Sequence, residues 1–304
     1  MNDPLVSIII PTYNHARFLP RSLSSALAQT WPNREIIVID DGSIDETRHV
    51  LTQFNGNIRY HYQPNAGLGA ARNAGLRLAR GQFIQLLDAD DTISPEKISR
   101  QISHLMTDDS IDLVYSNYET VKDGMAKMKV YDDPPETQDA LIRYYIRWNM
   151  TPIHSPLFRS RVFQSFGIFD EDRTAQEDWD LMMRLAIAGC RFKFVPGPFA
   201  QYHSDGSVIT RDPELMYQRY QHMLEKFRRD PLFLRFGDDL LHEFIYHQNI
   251  YIGYDSYNHR RWDRARRHLI EAIRSHREGF QPDLWILVLK TIAHQILAPT
   301  REAG

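Results

Sequence analysis

The stretch QFIQLLDADD, residues 82–91, joins an apolar run to three carboxylates. The apolar part is typical of a strand buried in a parallel sheet, which puts Asp88, Asp90 and Asp91 at its carboxyl end, where open α/β sheets bind ligands. Alternation points Asp88 and Asp90 the same way, and like charges this close repel unless a cation lies between them or one carboxyl stays protonated. A hard divalent cation is the simplest remedy. The alternative is a solvated turn that caps the next helix.

The length and composition describe an ordinary folded protein. The chain has 304 residues, 42% of them hydrophobic and 25% charged, and a net charge of −3 gives no electrostatic reason to expect a nucleic-acid partner. The single cysteine, Cys190, fits a reducing compartment. The N-terminus resembles no signal peptide, and the apolar segment 284–297 is shorter than the roughly 20 residues that span a bilayer. We therefore predict a cytoplasmic protein, with peripheral contact at the inner face of the membrane as an alternative.

Two earlier segments repeat the pattern of an apolar strand followed by a polar turn. LVSIII (5–10) is followed by a Pro-Thr-Tyr-Asn loop (11–14), and EIIVID (35–40) ends at Asp40 and Asp41. Carboxylates at such a turn accept hydrogen bonds from ribose hydroxyls or base N–H groups. An acidic turn favoured by the dipole of the next helix explains them equally well.

The segment NAGLGAARNAGL (65–76) begins with glycines and continues with alanines. Its glycines suit a backbone that passes close to a ligand, and its alanines favour a helix packed tightly on the sheet. The glycine spacing matches neither a dinucleotide fingerprint nor a P-loop. Arg72 lies one turn into this helix, either within reach of a diphosphate or base, or on the solvated surface.

Two later segments add candidate functional residues. EDWDLMMRLAIA (177–188) predicts a helix whose first turn holds Glu177 and Asp178, where the helix dipole favours acids without any function. A carboxylate there also points into whatever cleft the terminus borders, where it can act as a general base. His203 lies in the polar loop 200–210 and is either a surface residue or a ligand.

The character of the sequence changes near residue 211. Strand and helix patterns alternate up to residue 210, and only helices are predicted from 211 to 304. We therefore predict an α/β domain over 1–210 followed by an all-helical extension. Arginines outnumber acids between residues 260 and 278, so this part is either a solvated helix face or a contact for an anionic membrane surface or partner.

The ordered set of motifs resembles family 2 glycosyltransferases with a GT-A fold. The segments that carry the resemblance are SIIIPTYN (7–14), DDGS (40–43), NAGLGAARNAGL (65–76), LDADD (87–91), FDE (169–171) and EDWDLMMRL (177–185). They cover the first 200 residues and leave only the helical tail. The resemblance implies a single Rossmann-like domain with a mostly parallel sheet, in which residues 1–110 bind the nucleotide and residues 111–210 bind the acceptor.

The resemblance also implies contacts to a nucleotide sugar. Asp88 would bind ribose or metal-bound water, with Asp91 beside it, and Arg72 would approach the nucleotide. The remaining contacts would come from the loop after the first strand, the turn after the second and the first residue of the acidic helix: Pro11, Thr12, Tyr13, Asp40, Asp41 and Glu177.

The same resemblance implies which residues would carry the metal and the chemistry. Asp90 would be the main ligand of a Mn²⁺ or Mg²⁺ ion on the diphosphate. His203 would be a diphosphate or metal contact, although the arginine of the family's Tyr-Arg-x-His pattern is missing from Gln201-Tyr202-His203. Asp178 would be the catalytic base of an inverting enzyme.

The implied reaction moves a sugar from a UDP-, GDP- or dTDP-sugar to the hydroxyl of a glycan or lipid-linked acceptor, in polysaccharide, cell-surface glycan or glycolipid assembly. Two alternatives remain. A nucleotidyltransferase also binds a nucleotide and metal on an α/β sheet, but it normally has a Gly-rich basic loop near the N-terminus, and PTYNHARF (11–18) is a poor match. A non-catalytic module that binds a sugar or a partner is the second alternative.

Overall fold

The computed structural model describes residues 3–129, 137–147, 151–171, 176–204, 213–276 and 281–297. By their contacts the residues form two compact units. The first lies within Met1–Ser207, and the second joins Asp139–Trp148 and Thr174–Gln176 to Val208–Gly304. The predicted division at residue 210, and the halves 1–110 and 111–210, stay predictions, because packing contacts do not test which part folds alone.

The first unit is built on one mixed sheet. Its strands are β1 (Val6–Thr12), β2 (Arg34–Asp40), β3 (Arg59–Tyr62), β4 (Phe83–Leu86), β5 (Thr92–Ile93), β6 (Leu113–Lys122), β7 (Met125–Lys129), β8 (Leu157–Arg159) and β9 (Phe192–His203). They lie in the order β3-β2-β1-β4-β8-β6-β9-β5, with β7 paired to β6. The pairs among β3, β2, β1 and β4 are parallel, whereas β8 is antiparallel to both of its neighbours. The α/β class is confirmed, and parallel pairing occurs both among these four N-terminal strands and between β6 and β9.

The parallel strands are buried along their whole length where the sequence is continuously apolar. Every residue of β1 and of β4 is buried. A central parallel strand has helices over both faces, so it does not alternate apolar and polar residues. The strand predicted before the aspartates is therefore confirmed, and Asp88, Asp90 and Asp91 follow its carboxyl end.

Twelve helices complete the described parts of the chain. They are α1 (Leu19–Leu27), α2 (Thr47–Thr52), α3 (Leu68–Leu78), α4 (Lys97–Thr107), α5 (Gln138–Arg147), α6 (Arg161–Ser165), α7 (Glu177–Ile187), α8 (Pro213–Arg229), α9 (Pro231–Leu234), α10 (Asp238–Asn258), α11 (Trp262–Ser275) and α12 (Pro282–Leu297).

Helix α3 packs closely on the sheet, as its alanines predict. Ala71 and Ala74 are buried against Ile37 and Ile39 of β2. At Gly75 an added Cβ would lie 2.2 Å from Cγ2 of Ile9, so only glycine allows this approach. The close packing brings Arg72, one turn into α3, near the residues that follow β4.

The second unit is helical, in agreement with the predicted extension. The aromatic rings of Phe227, Phe233 and Phe244 pack against one another with centroids 5.4–5.7 Å apart and join α8, α9 and α10. Leu269 of α11 packs with Leu287 of α12 in a second cluster. Among the described helices, none combines the length and the apolar character that crossing a membrane requires.

Candidate functional site

Side chains of helix α1 hydrogen-bond to the backbone of the turn after β4. The backbone carbonyl of Asp88 accepts hydrogen bonds from Ser22 Oγ at 3.0 Å and from the Asp91 amide at 3.1 Å. The carbonyl of Asp90 accepts two from the Arg21 guanidinium, one of them from Nε at 3.0 Å. These bonds fix the backbone of the turn without using its carboxylates.

The three carboxylates of this turn differ in environment. Asp91 is only 1% exposed, while Asp88 and Asp90 are half-buried. Burial, together with the negative charges of Asp91 and Asp88, raises the pKa of Asp90 to about 7. The crowding that the sequence predicts is therefore present, and a carboxyl in this state favours either a proton or a cation beside it.

Arg72 connects this turn to the start of α7. Its guanidinium is 2% exposed and donates from Nη2 to Asp88 Oδ1 at 2.7 Å and from Nη1 to Glu177 Oε1 at 3.3 Å. Burial lowers the pKa of Arg72, but Asp88 and Glu177 outweigh it and hold that pKa above its ordinary value. The solvated-surface alternative for Arg72 is wrong, because two acids neutralise its charge in a buried position.

Asp178 lies beside this bridge, in the first turn of α7. Its Oδ1 accepts a hydrogen bond from the Trp179 amide at 2.8 Å, and its charge contributes to the raised pKa of Arg72. Trp179 is buried and anchors the start of the helix. The structure thus brings Asp88, Arg72, Glu177 and Asp178 together, although Arg72 and Glu177 are 105 residues apart in sequence.

The Asp91 carboxylate contacts two further segments, one at His203 and one at His154. Its Oδ1 accepts a hydrogen bond from the backbone amide of His203 at 2.7 Å, and its Oδ2 lies 3.0 Å from Nδ1 of His154. The ring of His203 contacts Thr92 Oγ1 through Nε2 at 3.1 Å. Burial lowers the pKa of His154, but the Asp91 carboxylate reverses this and the net shift is upward. His154 is a site residue that no sequence pattern indicates.

Both carboxylates of the turn after β2 accept hydrogen bonds from other parts of the protein. Asp41 accepts hydrogen bonds at 2.8 Å from the amides of Ala66 and Gly67 and from Gln63 Nε2. Asp40 accepts from the Ser43 amide at 2.8 Å and from the Tyr60 hydroxyl at 3.0 Å. Asp41 therefore shapes the start of the glycine segment, and the contacts of both aspartates to base or ribose stay predictions.

The backbone at Gly42, next to Asp41, lies very close to the backbone at Asn65. Gly42 has φ +82, and an added Cβ would lie 2.7 Å from the Asn65 amide nitrogen. Both the left-handed backbone and the close approach exclude other residues.

The loop after β1 is tied to the same turn. The Asn14 amide donates to Ser43 Oγ at 3.0 Å, and Asn14 Oδ1 accepts from the Ile44 amide at 2.8 Å. The predicted loop 11–14 is wrong at its first two residues, because Pro11 and Thr12 form the buried end of β1, whereas Tyr13 follows the strand and is 45% exposed. A base pocket lined by all three stays a prediction.

His15, just beyond this loop, lies close to the aspartates. Burial lowers its pKa, while the charges of Asp88, Asp45 and Asp91 act to raise it. The sequence analysis did not single out His15, although its place after a strand-end loop was a usable signal.

The FDE segment docks on α3 through one side chain. Asn73 Nδ2 donates to the Phe169 carbonyl at 2.9 Å and to Glu171 Oε1 at 2.9 Å, and Asn73 Oδ1 accepts from the Phe169 amide at 3.0 Å. The Phe169 ring in turn lies 5.1 Å from the Arg72 guanidinium. All six sequence motifs are thus joined by contacts at the carboxyl ends of the parallel strands.

A family model described as glycosyl transferase family 2 matches residues 7–166, or 160 of the 304 residues. The chain belongs to this family. An uncharacterized glycosyltransferase of Rickettsia prowazekii is 37% identical over 187 residues, which cover 60% of this chain and 59% of that protein. A chondroitin synthase of Escherichia coli is 31% identical over 190 residues, which cover 61% of this chain and 27% of the synthase. The chain therefore spans less than two thirds of either relative.

Solved structures of other glycosyltransferases share the fold. S. aureus TarS 1–349 in complex with UDP-GlcNAc superposes with a TM-score of 0.66 at 19% identity, over 93% of this chain and 83% of that one. The mannosyltransferase PcManGT from Pyrobaculum calidifontis, in complex with GDP-Man and Mn²⁺, gives 0.58 at 18% identity, over 98% and 82%. These similarities confirm the GT-A fold expected of a family 2 chain.

The residues of this family 2 chain that could hold a metal include one that was not predicted. Among the described residues, Asp88, Asp91 and His154 place one potential ligand atom each within 4.8 Å of one another. Two carboxylates and an imidazole suit a Mn²⁺ ion. Neither Asp90 nor His203 is in this group, so their predicted metal contacts stay predictions. The raised pKa of Asp90 is the second observation that fits a cation near the turn.

The position of Asp41 predicts a loss of stability on substitution. In Asp41→Asn one carboxylate oxygen becomes an NH₂ group that faces a backbone N–H, so we expect the free energy of unfolding to fall by about 2 to 4 kcal/mol. Urea denaturation measures this change. The matched control is Asp109→Asn, because the Asp109 side chain is 93% exposed. Equal stability of the two variants would contradict the role of Asp41 in holding Ala66 and Gly67.

Proposed function

We propose that this chain transfers a sugar from a nucleoside-diphosphate sugar to an acceptor hydroxyl, with inversion at the anomeric carbon. The observation that carries the proposal is the bridge from Asp88 through Arg72 to Glu177, which brings the aspartate turn and the acidic start of α7 into one site. The complexes of TarS with UDP-GlcNAc and of PcManGT with GDP-Man support a nucleotide-sugar donor. The chondroitin synthase relative supports a glycan acceptor in polysaccharide assembly.

In this proposal Asp178 is the general base. It accepts the proton of the acceptor hydroxyl while that oxygen attacks the anomeric carbon and the nucleoside diphosphate leaves from the opposite side. Arg72 is a positioning residue, because both of its charged hydrogen bonds go to protein carboxylates. Glu177 keeps Arg72 in place and lies beside the sugar.

A divalent ion, Mn²⁺ or Mg²⁺, would be held by Asp90, with Asp88 beside it. These two carboxylates are the more exposed ones, whereas Asp91 and His154 are buried and pair with each other. The ion supplies positive charge that stabilises the diphosphate leaving group more in the transition state than in the ground state. We propose that the buried pair of Asp91 and His154 stabilises the turn. His203 would contact the diphosphate.

The nucleotide would lie on the loop after β1 and the turn after β2. Thr12 Oγ1 is buried without a hydrogen-bond partner among the described residues, which supports a polar ligand contact at this point. Tyr13 has the exposed ring that a base can stack on. Pro11 closes the pocket, and Asp40 and Asp41 keep the turn in the shape that faces the base and ribose.

The raised pKa of Asp90 predicts how metal binding depends on pH. Because the folded pKa of about 7 exceeds the ordinary value, the charged carboxyl lowers folded-state stability as pH rises from about 4 to about 7. A cation replaces the proton, so we expect a large excess of Mg²⁺ to raise Tm more at pH 8 than at pH 5.5, even if the free protein binds the ion weakly. Thermal unfolding with and without Mg²⁺ measures this. In the control Asp90→Asn, whose side chain cannot titrate, Mg²⁺ should raise Tm only slightly and equally at both pH values. The same small, equal shift in the wild type would contradict the role of Asp90.

One panel experiment tests the function and its alternatives. The chain is incubated with UDP-, GDP- and dTDP-sugars and Mn²⁺, and slow donor hydrolysis is followed by product analysis. Release of nucleoside diphosphate supports transfer chemistry, and release of pyrophosphate would favour a nucleotidyltransferase. No turnover and no thermal shift with any donor would favour a non-catalytic module.

The same proposal extends to a contact with a membrane. Arg260, Arg261 and Arg267 around the start of α11 are exposed, as a surface for anionic lipid requires. We propose peripheral contact of these arginines with the inner face of a cytoplasmic membrane that presents a lipid-linked acceptor. Sedimentation with anionic and with neutral vesicles tests it, and equal binding to both would count against it.

A further inference from the structure

The helical unit contains a polar cavity of its own. It has a volume of about 530 Å³ and lies between α5, α10 and the end of α11. Ligand pockets commonly have volumes of roughly 300 to 1,000 Å³, so this one is large enough for an organic ligand. The residues that matter in its lining are Arg143, Arg147, Glu243, Tyr246, His247 and His276.

Among the described lining residues, the charges of the arginines and of the carboxylates balance. Glu243 accepts hydrogen bonds from the guanidinium groups of both Arg143 and Arg147, the latter at 3.1 Å from Nη2. Asp239 adds a second acid, so two arginines face two carboxylates. Burial lowers the pKa of His247 to about 4, so this ring is neutral at physiological pH. A cavity with balanced charges does not concentrate multiply charged anions.

The ion pairs hold planar hydrogen-bonding groups in fixed positions. Arg143 is held a second time by Asp139, whose Oδ2 lies 2.8 Å from Nε. Guanidinium groups fixed in this way still present N–H donors to a ligand. The Glu243 carboxylate, which lies between the two arginines, still presents acceptor lone pairs. The pattern offers donors and acceptors side by side with little rotamer entropy left to lose.

Aromatic rings form the less polar part of the lining. The rings of Tyr246 and His276 lie 4.5 Å apart with an interplanar angle of 31°. His276 Nε2 is also hydrogen-bonded to Gln281 Nε2 at 2.7 Å, which fixes the ring. Among the residues that the structure describes, the lining has no large aliphatic side chain, so these residues offer a lipid chain no aliphatic surface to bury.

We propose that this cavity binds a neutral saccharide. Each sugar hydroxyl donates and accepts at once, which matches neighbouring guanidinium and carboxylate groups, and the C–H face of a sugar ring packs on an aromatic ring. The cavity would hold a segment of the glycan acceptor, and this assignment of the saccharide as acceptor rests on the proposed function.

Saturation-transfer NMR and calorimetry on the full chain test the cavity without donor or metal. The probes are chitotetraose, maltotetraose and mannotetraose, with inorganic phosphate as the anionic comparison. We expect at least one tetrasaccharide to bind, and both Tyr246→Ala and Arg147→Gln to weaken its Kd about tenfold or more. Arg147 is 55% exposed, so Arg147→Gln keeps the experiment valid should Tyr246→Ala fail to fold. The matched control is Tyr254→Ala, whose 42% exposed side chain is on the same helix but does not line the cavity.

The outcomes separate this inference from the proposed function. Binding that is lost in the cavity variants and kept in Tyr254→Ala supports the inference, even if no donor is hydrolysed. The inference is overturned if no tetrasaccharide binds, if binding is unchanged in Arg147→Gln, or if only phosphate binds. Donor hydrolysis, measured separately, should be unchanged in all three variants, because none lies among the residues assigned to the donor.

Discussion

Asp178→Asn is expected to lower kcat by about 10²- to 10⁴-fold, the usual contribution of a general base, while donor affinity is kept. Asparagine has nearly the same shape and still offers an oxygen to the Trp179 amide, which Asp178 Oδ1 accepts at 2.8 Å. The start of α7 should therefore fold normally, and the variant loses only the ability to take a proton. Steady-state kinetics with a donor and acceptor from the panel measure kcat, and calorimetry measures donor affinity.

The control for this variant is Glu225→Gln, which removes a carboxylate from a helix surface where the side chain is 65% exposed. Its turnover should equal that of the wild type. Near-normal turnover of Asp178→Asn would sink its assignment as base and would direct attention to Glu177, the neighbouring acid on the Arg72 bridge.

Asp90→Ala is expected to abolish the part of donor affinity that depends on the metal. The backbone of the turn should survive, because Arg21 binds the Asp90 carbonyl and not its carboxylate. Removing a half-buried carboxyl whose pKa is raised to about 7 also relieves crowding with Asp88 and Asp91. Calorimetric titration with a nucleotide sugar, with and without Mn²⁺, should show a gain from the metal in the wild type and none in the variant.

Asp109→Ala serves as the surface control for this comparison, since the Asp109 side chain is 93% exposed. A full metal-dependent gain in Asp90→Ala would exclude Asp90 as the main ligand. The buried group of Asp88, Asp91 and His154 would then become the candidate, and His154→Gln would be the next variant to titrate.

The parts of the fold that sequence predicts are those decided by local patterns. Continuous apolar runs predict β1, β2 and β4. The aspartates that follow β4 stand out in the sequence because three carboxylates so close together at a sheet edge repel one another unless a cation or a proton is present. The strand β9 shows the limit. The sequence predicts a short strand from Phe192 to Pro196 and a polar loop over 200–210. The structure continues β9 to His203, through register shifts opposite β6 between Ser116 and Tyr118, so the loop prediction is wrong at residues 200–203. A bulge of this kind depends on the partner strand, so the proline pattern alone does not predict it.

The site residues are predictable to a similar extent. Asp88, Glu177 and Asp178 lie together as the motifs indicate, but the burial of Arg72 depends on acids 16 and 105 residues away. His154 faces Asp91 only because β8 pairs with β4 in antiparallel register. Residues 139–147 of α5 belong to the helical unit for the same reason, since Arg143 and Arg147 bind Glu243 of α10. Such pairings are fixed by topology and not by local composition.

The main-chain bonds of the aspartate turn have a consequence for how substrates assemble. The Asp88 carbonyl accepts from Ser22 and the Asp91 amide, and the Asp90 carbonyl accepts twice from Arg21, so both lone pairs of each oxygen are taken. A hard divalent ion completes a coordination shell of about six oxygens, and these two carbonyls contribute none of them. Most of the shell must then come from water and the diphosphate. We therefore expect the free protein to retain the ion weakly and the ion to enter as a complex with the donor.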